Sequence, residues 1–223
     1  MKMPRTCELH ELGRMSWPEA FNLQQRLVAS RKTGAIPDQL LLVEHPHVVT
    51  MGRNGRQENL LAPPELLDRA GIAFHETDRG GDVTYHGPGQ IVGYPILDLR
   101  EWKRDVGAYV RAIEDVIIAT LAEFDIAAGR DPGNTGVWAA GAKVAAIGVH
   151  ISRWVTSHGF ALNVTTDLRY FQYIVPCGLR KPVTSMAALG VDTSLDAVQR
   201  TLVRHFERAF GVRIEHLETA RIQ

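Results

Sequence analysis

The strongest constraint on the fold comes from the segment at 105–124, whose apolar side chains recur every three or four residues. This spacing places them on one face of a long helix, and that face must be buried. The apolar positions are Val106, Tyr109, Val110, Ile113, Val116, Ile117, Leu121 and Phe124. The segments on either side have short extended patterns instead. The chain must therefore pack this helix against strands, which indicates a mixed architecture.

Further helices and strands follow from capping residues, prolines and glycines. Ser16, followed three residues later by Glu19, is a capping-box pattern, so a helix is expected at 17–32. A second apolar stripe predicts a helix at 194–210, with Thr193 or Ser194 as its cap. The remaining expected elements are a short helix from Pro63 to about Gly71 and strands at 39–45, 47–52, 72–76, 81–86, 90–98, 135–140, 143–151 and 158–164.

The order of these elements favours one α+β domain that spans residues 1–223. No repeat, low-complexity stretch or linker divides the chain. The 25 basic residues balance the 25 acidic residues, which argues against a nucleic-acid binder that depends on a broadly positive surface. No apolar run approaches the roughly 18 residues of a membrane span. We therefore expect a cytoplasmic protein with no membrane or nucleic-acid partner.

Metal and disulfide chemistry receive little support from the residue pattern. The two cysteines, Cys7 and Cys177, lie far apart and outside any CxxC pair, so neither a disulfide framework nor a zinc ribbon is indicated. His45 and His47 are the only closely spaced histidines, and no HExxH motif is present. We expect no metal site, and we expect Cys7 to have a packing role near a mobile terminus.

A glycine-rich block at 79–90 is the densest unusual stretch. It has four glycines and a proline among polar residues, inside a region of predicted strands. Glycines allow a backbone to approach a ligand closely. The block lacks the lysine of a phosphate-binding loop and does not match GxGxxG. A bulged hairpin and a binding loop both remain possible, and the length and polarity of the block favour binding.

Cys177 is a candidate nucleophile because cations follow it closely in the chain. A thiol with a pKa near 8.5 is only slightly ionised at neutral pH, and a nearby positive charge stabilises the thiolate. The candidate cations are Lys143, Arg180, Lys181 and His86. The alternative is that Cys177 is a small buried apolar residue.

Taken together, the motifs resemble those of the lipoyl(octanoyl) transferases, which are octanoyl-[acyl-carrier-protein]:protein N-octanoyltransferases. The resemblance covers nearly the whole chain. Its blocks lie at 44–46, 50–55, 79–90, 132–138, 143–149, 158–164 and 176–178. It implies a fold like that of biotin and lipoate protein ligases, with a mixed sheet flanked by helices.

The resemblance also implies roles for individual residues. Cys177 falls at the position of the acyl-accepting thiol, and Lys143 at that of a lysine that lowers the thiol pKa. The acyl pocket is expected to involve Arg79, Gly80, Gly81, Asp82, Val83, Thr84, Tyr85, His86, Ala146, Ile147, Gly148, Gly159, Phe160 and Ala161. Some of Arg53, Arg56, Arg130, Arg153, Arg169, Arg180 and Lys181 are expected to frame the entrance for acidic protein partners.

The implied reaction moves an octanoyl group from octanoyl-acyl carrier protein to Cys177 and then to a lysine of a lipoyl domain. The acceptors are expected on the E2 subunits of 2-oxoacid dehydrogenases and on the glycine cleavage H protein. No cofactor is expected beyond the phosphopantetheine of the carrier. Three alternatives remain: an ATP-dependent lipoate or biotin ligase, a thioesterase, and a non-catalytic acyl-binding protein. The glycine block lacks the extra arginine, serine and third glycine typical of lipoate ligases.

Overall fold

The computed structural model describes residues 4–175 and 181–217. Within these residues, four α-helices and eleven β-strands follow one another along the chain. The helices are α1 (Trp17–Lys32), α2 (Pro64–Arg69), α3 (Val106–Ala122) and α4 (Leu195–Phe210). The strands are β1 (Arg5–Arg14), β2 (Asp38–Glu44), β3 (Val48–Met51), β4 (Ala73–Glu76), β5 (Val83–His86), β6 (Gln90–Ile96), β7 (Ala128–Asp131), β8 (Asn134–Ala139), β9 (Ala142–Ser152), β10 (Val155–Asn163) and β11 (Val212–His216).

Eight of these strands form a large mixed sheet in the order β11-β1-β2-β6-β10-β9-β8-β7. Strand β1 runs parallel to both β2 and β11, and the pairs from β2 to β7 are antiparallel. Strands β4, β3 and β5 form a second, smaller sheet. The fold is therefore α+β, as expected.

The alternation of side chains along β2 explains how helices cover both faces of the large sheet. Leu40 and Leu42 pack into the core that contains α3 and α4. Leu41 and Val43 point the other way and pack with α1. Successive residues of a strand face opposite sides, so a continuous apolar run is required when both sides are buried.

The helix ends match the capping residues in the sequence. The Glu19 carboxylate accepts from the Ser16 backbone N–H at 3.1 Å, as the capping-box pattern predicts. The hydroxyl of Ser194 accepts from the backbone N–H of Ala197 at 3.2 Å, so Ser194 is the cap of α4. Gly211 ends α4 with φ +60°, a left-handed conformation that glycine adopts without strain.

The long helices and the expected strands are confirmed, usually within two residues of the expected bounds. One expectation is wrong: the terminus around Cys7 is part of β1, which lies inside the sheet and pairs on both sides. Cys7 is fully buried in the core, which agrees with the packing role expected for it. Strands β7 and β11 were not expected at all. The predicted strand at 81–86 begins only at Val83, because the glycines before it form a loop.

No helix among the described residues combines the length and apolar character needed to cross a membrane.

Candidate functional site

A narrow cavity lies where the glycine-rich loop covers the middle of the large sheet. It encloses about 470 Å³ of empty space, including its open mouth. The lining residues are Trp17, Arg79, Gly81, Thr84, His86, Val92, Tyr94, Ala146, Ile147, Gly148, His158, Gly159, Phe160 and Ala161. We call this cavity the slot.

Small residues on β9 and β10 make room for the slot. Gly148 pairs with Gly159, and Ala146 pairs with Ala161, on these antiparallel neighbours. A Cβ atom added to Gly148 would lie 2.9 Å from the carbonyl oxygen of Gly80, closer than a real Cβ atom approaches such an atom. The glycine therefore allows the loop to lie directly on the strand.

The loop is held in place by bonds to the small sheet and to β9. The guanidinium of Arg79 donates to the carbonyl oxygen of Thr50 at 2.7 Å. The N–H of Gly80 donates to the carbonyl oxygen of Val149 at 2.9 Å. The carboxylate of Asp82 accepts from the N–H groups of Arg56 at 3.0 Å and Val83 at 2.7 Å. These bonds keep one face of the loop fixed against the slot.

The two-residue period of β5 divides the predicted loop residues into two groups. Thr84 and His86 face the slot. Val83 and Tyr85 are fully buried in the small core between the second sheet and the 168–174 segment. Asp82 serves as the loop anchor described above. Gly80 lies beside a separate surface cavity that Lys143 and Gly148 also line.

Lys143 lies beyond one end of the slot. A smaller adjoining cavity shares Thr84, Ala146 and Ala161 with the slot and is also lined by Lys143. The ammonium of Lys143 lies 4.7 Å from the centre of the Trp138 ring and donates to the carbonyl oxygen of Thr135 at 3.3 Å. Lys143 is buried, so its charge acts in surroundings that water screens weakly.

The described residues on both sides of 176–180 are fixed by hydrogen bonds. The N–H of Val175 donates to the carbonyl oxygen of Asn59 at 2.7 Å. The backbone of Lys143 accepts from Thr184 and donates to Pro182, each at 2.9 Å. Cys177 and Arg180 lie outside the described residues. The chain that continues from them is therefore bound to the backbone of Lys143.

A chain of buried amides connects the slot to this segment. Nδ1 of His86 lies 2.7 Å from Oε1 of Gln90, and Nε2 of Gln90 donates to Oδ1 of Asn163 at 2.8 Å. Nδ2 of Asn163 then donates to the carbonyl oxygen of Thr184 at 2.9 Å. Sequence reasoning included Gln90 and Asn163 only as members of longer blocks and assigned them no role.

Two buried histidines beside the slot are neutral at physiological pH. Burial lowers the pKa of His45 to about 4, against a hydrogen bond to Met15 that raises it. Burial also lowers the pKa of His86 to about 3, and the neighbouring His45 adds to this effect. Removing a cationic imidazole from water is unfavourable, so both rings stay uncharged. His86 is therefore excluded from the candidate cations for Cys177.

The other end of the slot contains a hydrogen bond between a histidine and a carboxylate, which was not predicted from the sequence. Nε2 of His158 lies 2.7 Å from Oδ1 of Asp78, and this hydrogen bond is the main reason that the pKa of Asp78 falls to about 2. Burial lowers the pKa of His158 despite the carboxylate. His158 has φ +55°, an uncommon conformation for a residue other than glycine.

Four residues that were not predicted as site residues also line the slot: Trp17, Val92, Tyr94 and His158. His158 lies in the block at 158–164, and the other three lie outside every motif. Trp17 begins α1, and Val92 and Tyr94 belong to β6, so each comes from an element remote in the chain from β9 and β10. Only the order of strands in the sheet brings them together. Tyr94 could have been suspected from the polar hydroxyl in an otherwise apolar strand.

Several residues expected at the entrance are engaged in ion pairs. Arg130 bonds to Glu114 at 2.6 Å, and Lys181 bonds to Asp131 at 2.6 Å. Arg169 bonds to Asp167 at 2.7 Å. Arg56 lies 3.4 Å from Glu58, and Arg53 lies 2.9 Å from Nδ1 of His150. Arg153 lies in the turn between β9 and β10. Of these, Lys181 is the closest in sequence to the cysteine segment.

Within residues 4–175 and 181–217, no three His, Cys, Asp or Glu side chains converge in a metal-binding arrangement.

Comparison with known proteins agrees with the fold and identifies the family of the chain. The lipoyl protein ligase A/B catalytic domain model matches residues 17–207. An octanoyltransferase of Solibacter usitatus is 68% identical over 92% of this chain and 94% of that protein. An octanoyltransferase of Koribacter versatilis is 52% identical over 93% and 86% of the two chains.

Solved structures with low sequence identity share the fold. A lipoate-protein ligase A bound with ATP superposes with a TM-score of 0.77 at 17% identity, covering 98% of this chain and 90% of that chain. A biotin protein ligase of Aquifex aeolicus gives 0.51 at 13% identity, with 93% and 70% covered. The expected biotin and lipoate ligase-like fold is confirmed. The chain belongs to the lipoyl protein ligase A/B catalytic domain family and, within it, to the octanoyltransferases, which are acyltransferases.

Proposed function

We propose that this acyltransferase takes an octanoyl group from octanoyl-acyl carrier protein, holds it as a thioester on Cys177, and passes it to a lysine of a lipoyl domain. The acceptors are the lipoyl domains of 2-oxoacid dehydrogenase E2 subunits and of the glycine cleavage H protein. The reaction takes place in the cytoplasm and needs no cofactor beyond the carrier's phosphopantetheine.

The observation that carries the proposal is a narrow slot with a buried lysine beyond one end. The walls at Ala146, Gly159 and Ala161 leave room for an unbranched chain, and they present little polar surface to it. Lys143 is buried at the adjoining cavity, and its backbone is bonded to Pro182 and Thr184, which follow Cys177 in the chain. An acyl chain in the slot thus has its reacting end toward Lys143.

In the first half-reaction, the thiolate of Cys177 attacks the carbonyl carbon of the octanoyl thioester. The bond from that carbon to the phosphopantetheine sulfur breaks, and the departing thiolate takes a proton from Lys143. One thioester replaces another, so the bond energy changes little. A cation beside Cys177 keeps the sulfur ionised, and Lys143 is suited to this role because burial strengthens its field.

In the second half-reaction, the amine of the acceptor lysine attacks the Cys177 thioester. The new amide forms as the amine loses a proton and the cysteine leaves as thiolate, which restores the enzyme. Lys143, after giving up its own proton, can accept the proton of the incoming amine. Backbone N–H groups of the glycine-rich loop other than that of Gly80, which bonds to Val149, are the candidates for stabilising the oxyanion.

The rival reactions differ in donor or acceptor, so one assay separates them. Purified protein is incubated with a lipoyl domain and either octanoyl-acyl carrier protein without ATP, or free octanoate with ATP. The proposal predicts octanoylation of the domain only with the carrier. Labelling that requires ATP and free acid would identify a ligase. Release of octanoate without any labelled domain would identify a thioesterase.

A further inference from the structure

The end of the slot remote from Lys143 is closed by aromatic rings. The indole of Trp17 stacks on Phe21 with ring centres 4.9 Å apart. The imidazole of His158 stacks on Phe21, with ring centres 5.7 Å apart. It contacts the ring of Tyr94 edge-on, with ring centres 6.4 Å apart. Trp17, Tyr94 and His158 all line the slot. Together these rings form a rigid wall.

Two hydrogen bonds hold His158 at this position, in addition to its ring contacts. Its ring bonds to Asp78 at 2.7 Å, and its backbone N–H donates to Oε1 of Gln24 at 2.9 Å. Its left-handed backbone conformation lies within β10, where neighbouring residues are extended. A residue keeps an unfavourable conformation only when its surroundings determine it strongly, and such residues concentrate at functional sites.

The register of β9 and β10 gives the length of the slot. His158 pairs with Val149, and the junction with the cavity of Lys143 lies at Ala146. Three residues of a strand span about 10 Å. The seven C–C bonds of an extended octanoyl chain, each about 1.5 Å long, reach roughly 9 Å in zig-zag form. The distance from the junction to His158 thus matches eight carbons.

We propose that His158, together with Trp17, is the stop that sets the acyl-chain length which this enzyme accepts. The inference rests on the proposed function, because it takes the reacting end of the chain to lie toward Lys143. A chain with more carbons meets the two rings, whereas a shorter chain leaves part of the slot unfilled. His158 is uncharged at neutral pH, since burial lowers its pKa, and so it presents an imidazole edge rather than a cation to the chain terminus.

The test is a competition among acyl chains in one reaction. Hexanoyl-, octanoyl- and decanoyl-acyl carrier proteins are mixed in equal amounts, and the masses of the labelled lipoyl domain give the product ratio. This ratio does not depend on how much of a variant is folded. His158→Gly suits the test because glycine accepts the left-handed backbone at this position. Trp17→Leu shortens the other part of the wall and serves as the second variant.

The wild type should yield mainly the octanoyl product. Each added methylene that becomes buried is worth roughly a factor of four, so decanoyl, with two more methylenes, should gain about fifteenfold against octanoyl in His158→Gly. Trp17→Leu should shift in the same direction. The matched control is His150→Ala. The imidazole of His150 also bonds to Asp78, with Nδ1 3.1 Å from Oδ2, but His150 does not line the slot. Its product ratio should equal that of the wild type.

An unchanged ratio in both His158→Gly and Trp17→Leu, with octanoyl transfer intact, would overturn the stop and leave the proposed function standing. An equal shift in His150→Ala would also overturn it, because the effect would then belong to the Asp78 cluster. Absence of any acyl transfer by the wild type would instead contradict the proposed function.

Discussion

At the scale of single residues, burial determines which groups beside the slot have a charge. His45, His86 and His158 are all buried, and burial lowers the pKa of each. Lys143 is also buried, yet its ammonium lies against the Trp138 ring and a backbone carbonyl. The two imidazoles that line the slot, those of His86 and His158, are thus neutral. His45 lies against His86, and Lys143 lies at the proposed reacting end.

His45 makes folding stability depend on pH. Its pKa in the folded protein is about 4, below its ordinary value of 6.5, so between these values only the unfolded chain binds the proton. Stability is therefore complete above about pH 6.5 and falls as the pH drops toward 4. At pH 5 the loss from this group is about 2 kcal/mol.

His45→Gln removes this titration while keeping a group that can donate and accept hydrogen bonds. Urea unfolding at pH 7.5 and pH 5.0 measures the difference for each protein. We expect the variant to lose about 2 kcal/mol less than the wild type between these pH values. Equal losses in the two proteins would show that His45 is not buried as a neutral group.

The two described lysines near the cysteine segment should affect Cys177 differently. Lys143 is buried, whereas Lys181 is half-exposed and bound to Asp131. We expect Lys143→Met to raise the pKa of the Cys177 thiol by about one unit or more and to slow acyl transfer roughly a hundredfold. Lys181→Met should change both quantities little.

Alkylation by iodoacetamide across a pH series, followed by peptide mapping, measures this pKa. The mapping separates Cys177 from Cys7, whose thiol has a pKa raised well above its usual value by burial. If Lys181→Met raises the Cys177 pKa more than Lys143→Met does, Lys181 rather than Lys143 is the dominant cation beside the thiol.

At the scale of elements, the sequence predicted what depends on local pattern and missed what depends on pairing. Helices α1, α3 and α4 have apolar stripes and capping residues, and all were predicted. Strand β1 has mostly polar residues, and its apolar Cys7 and Leu9 are buried because β2 and β11 pair on its two sides. Strand β7 is short and mostly polar, and the alternation in β11 covers only Val212 and Ile214, so neither pattern is long enough to predict a strand.

The candidate site likewise combines residues that could be predicted from the sequence with residues that could not. The glycine-rich block could be located from its composition, because glycines in strands indicate close approach. The segments of β9 and β10 were assigned to the site only through the family resemblance. Trp17 and Tyr94 could not be located from the sequence, since the strand order in the sheet and the position of α1 bring them to the slot. The positions of Cys177 and Arg180 stay predictions, because both lie outside the described residues.

Gly148 tests whether the contact between the loop and β9 shapes the slot. In Gly148→Ala, the new Cβ would lie 2.9 Å from the carbonyl oxygen of Gly80, so the loop must shift. We expect kcat/KM for the acyl carrier substrate to fall at least tenfold. The matched control is Gly129→Ala in β7, where the new Cβ would meet no atom within 4 Å.

Gly129→Ala should keep the activity of the wild type. Steady-state kinetics and thermal unfolding are measured for both variants, so that a loss of activity can be compared with a loss of folded protein. Full activity in a folded Gly148→Ala protein would show that the loop does not need to lie on the strand.

At the scale of the whole molecule, one sheet holds the slot and the lysine in a fixed relation. Strands β9 and β10 supply the slot walls, and β9 also bears Lys143 at its start. Helices α3 and α4 cover one face of that sheet, and α1 covers the other and contributes Trp17. The small sheet is bonded to the loop through Arg79 and Thr50. The architecture thus supports a reaction in which the slot and Lys143 keep their positions while the lipoyl domain replaces the carrier protein.

The central claim, that the octanoyl group is held on Cys177 between donor and acceptor, is tested most directly by intact-protein mass spectrometry. The protein is mixed with octanoyl-acyl carrier protein without ATP, digested for peptide mapping in one aliquot, and mixed with a lipoyl domain in another. Cys177→Ser is treated in parallel. The account predicts one octanoyl group on Cys177, its transfer to the lipoyl domain, and no thioester in the variant. An unmodified wild-type enzyme that still labels the domain, or a variant that labels it equally well, would contradict the account.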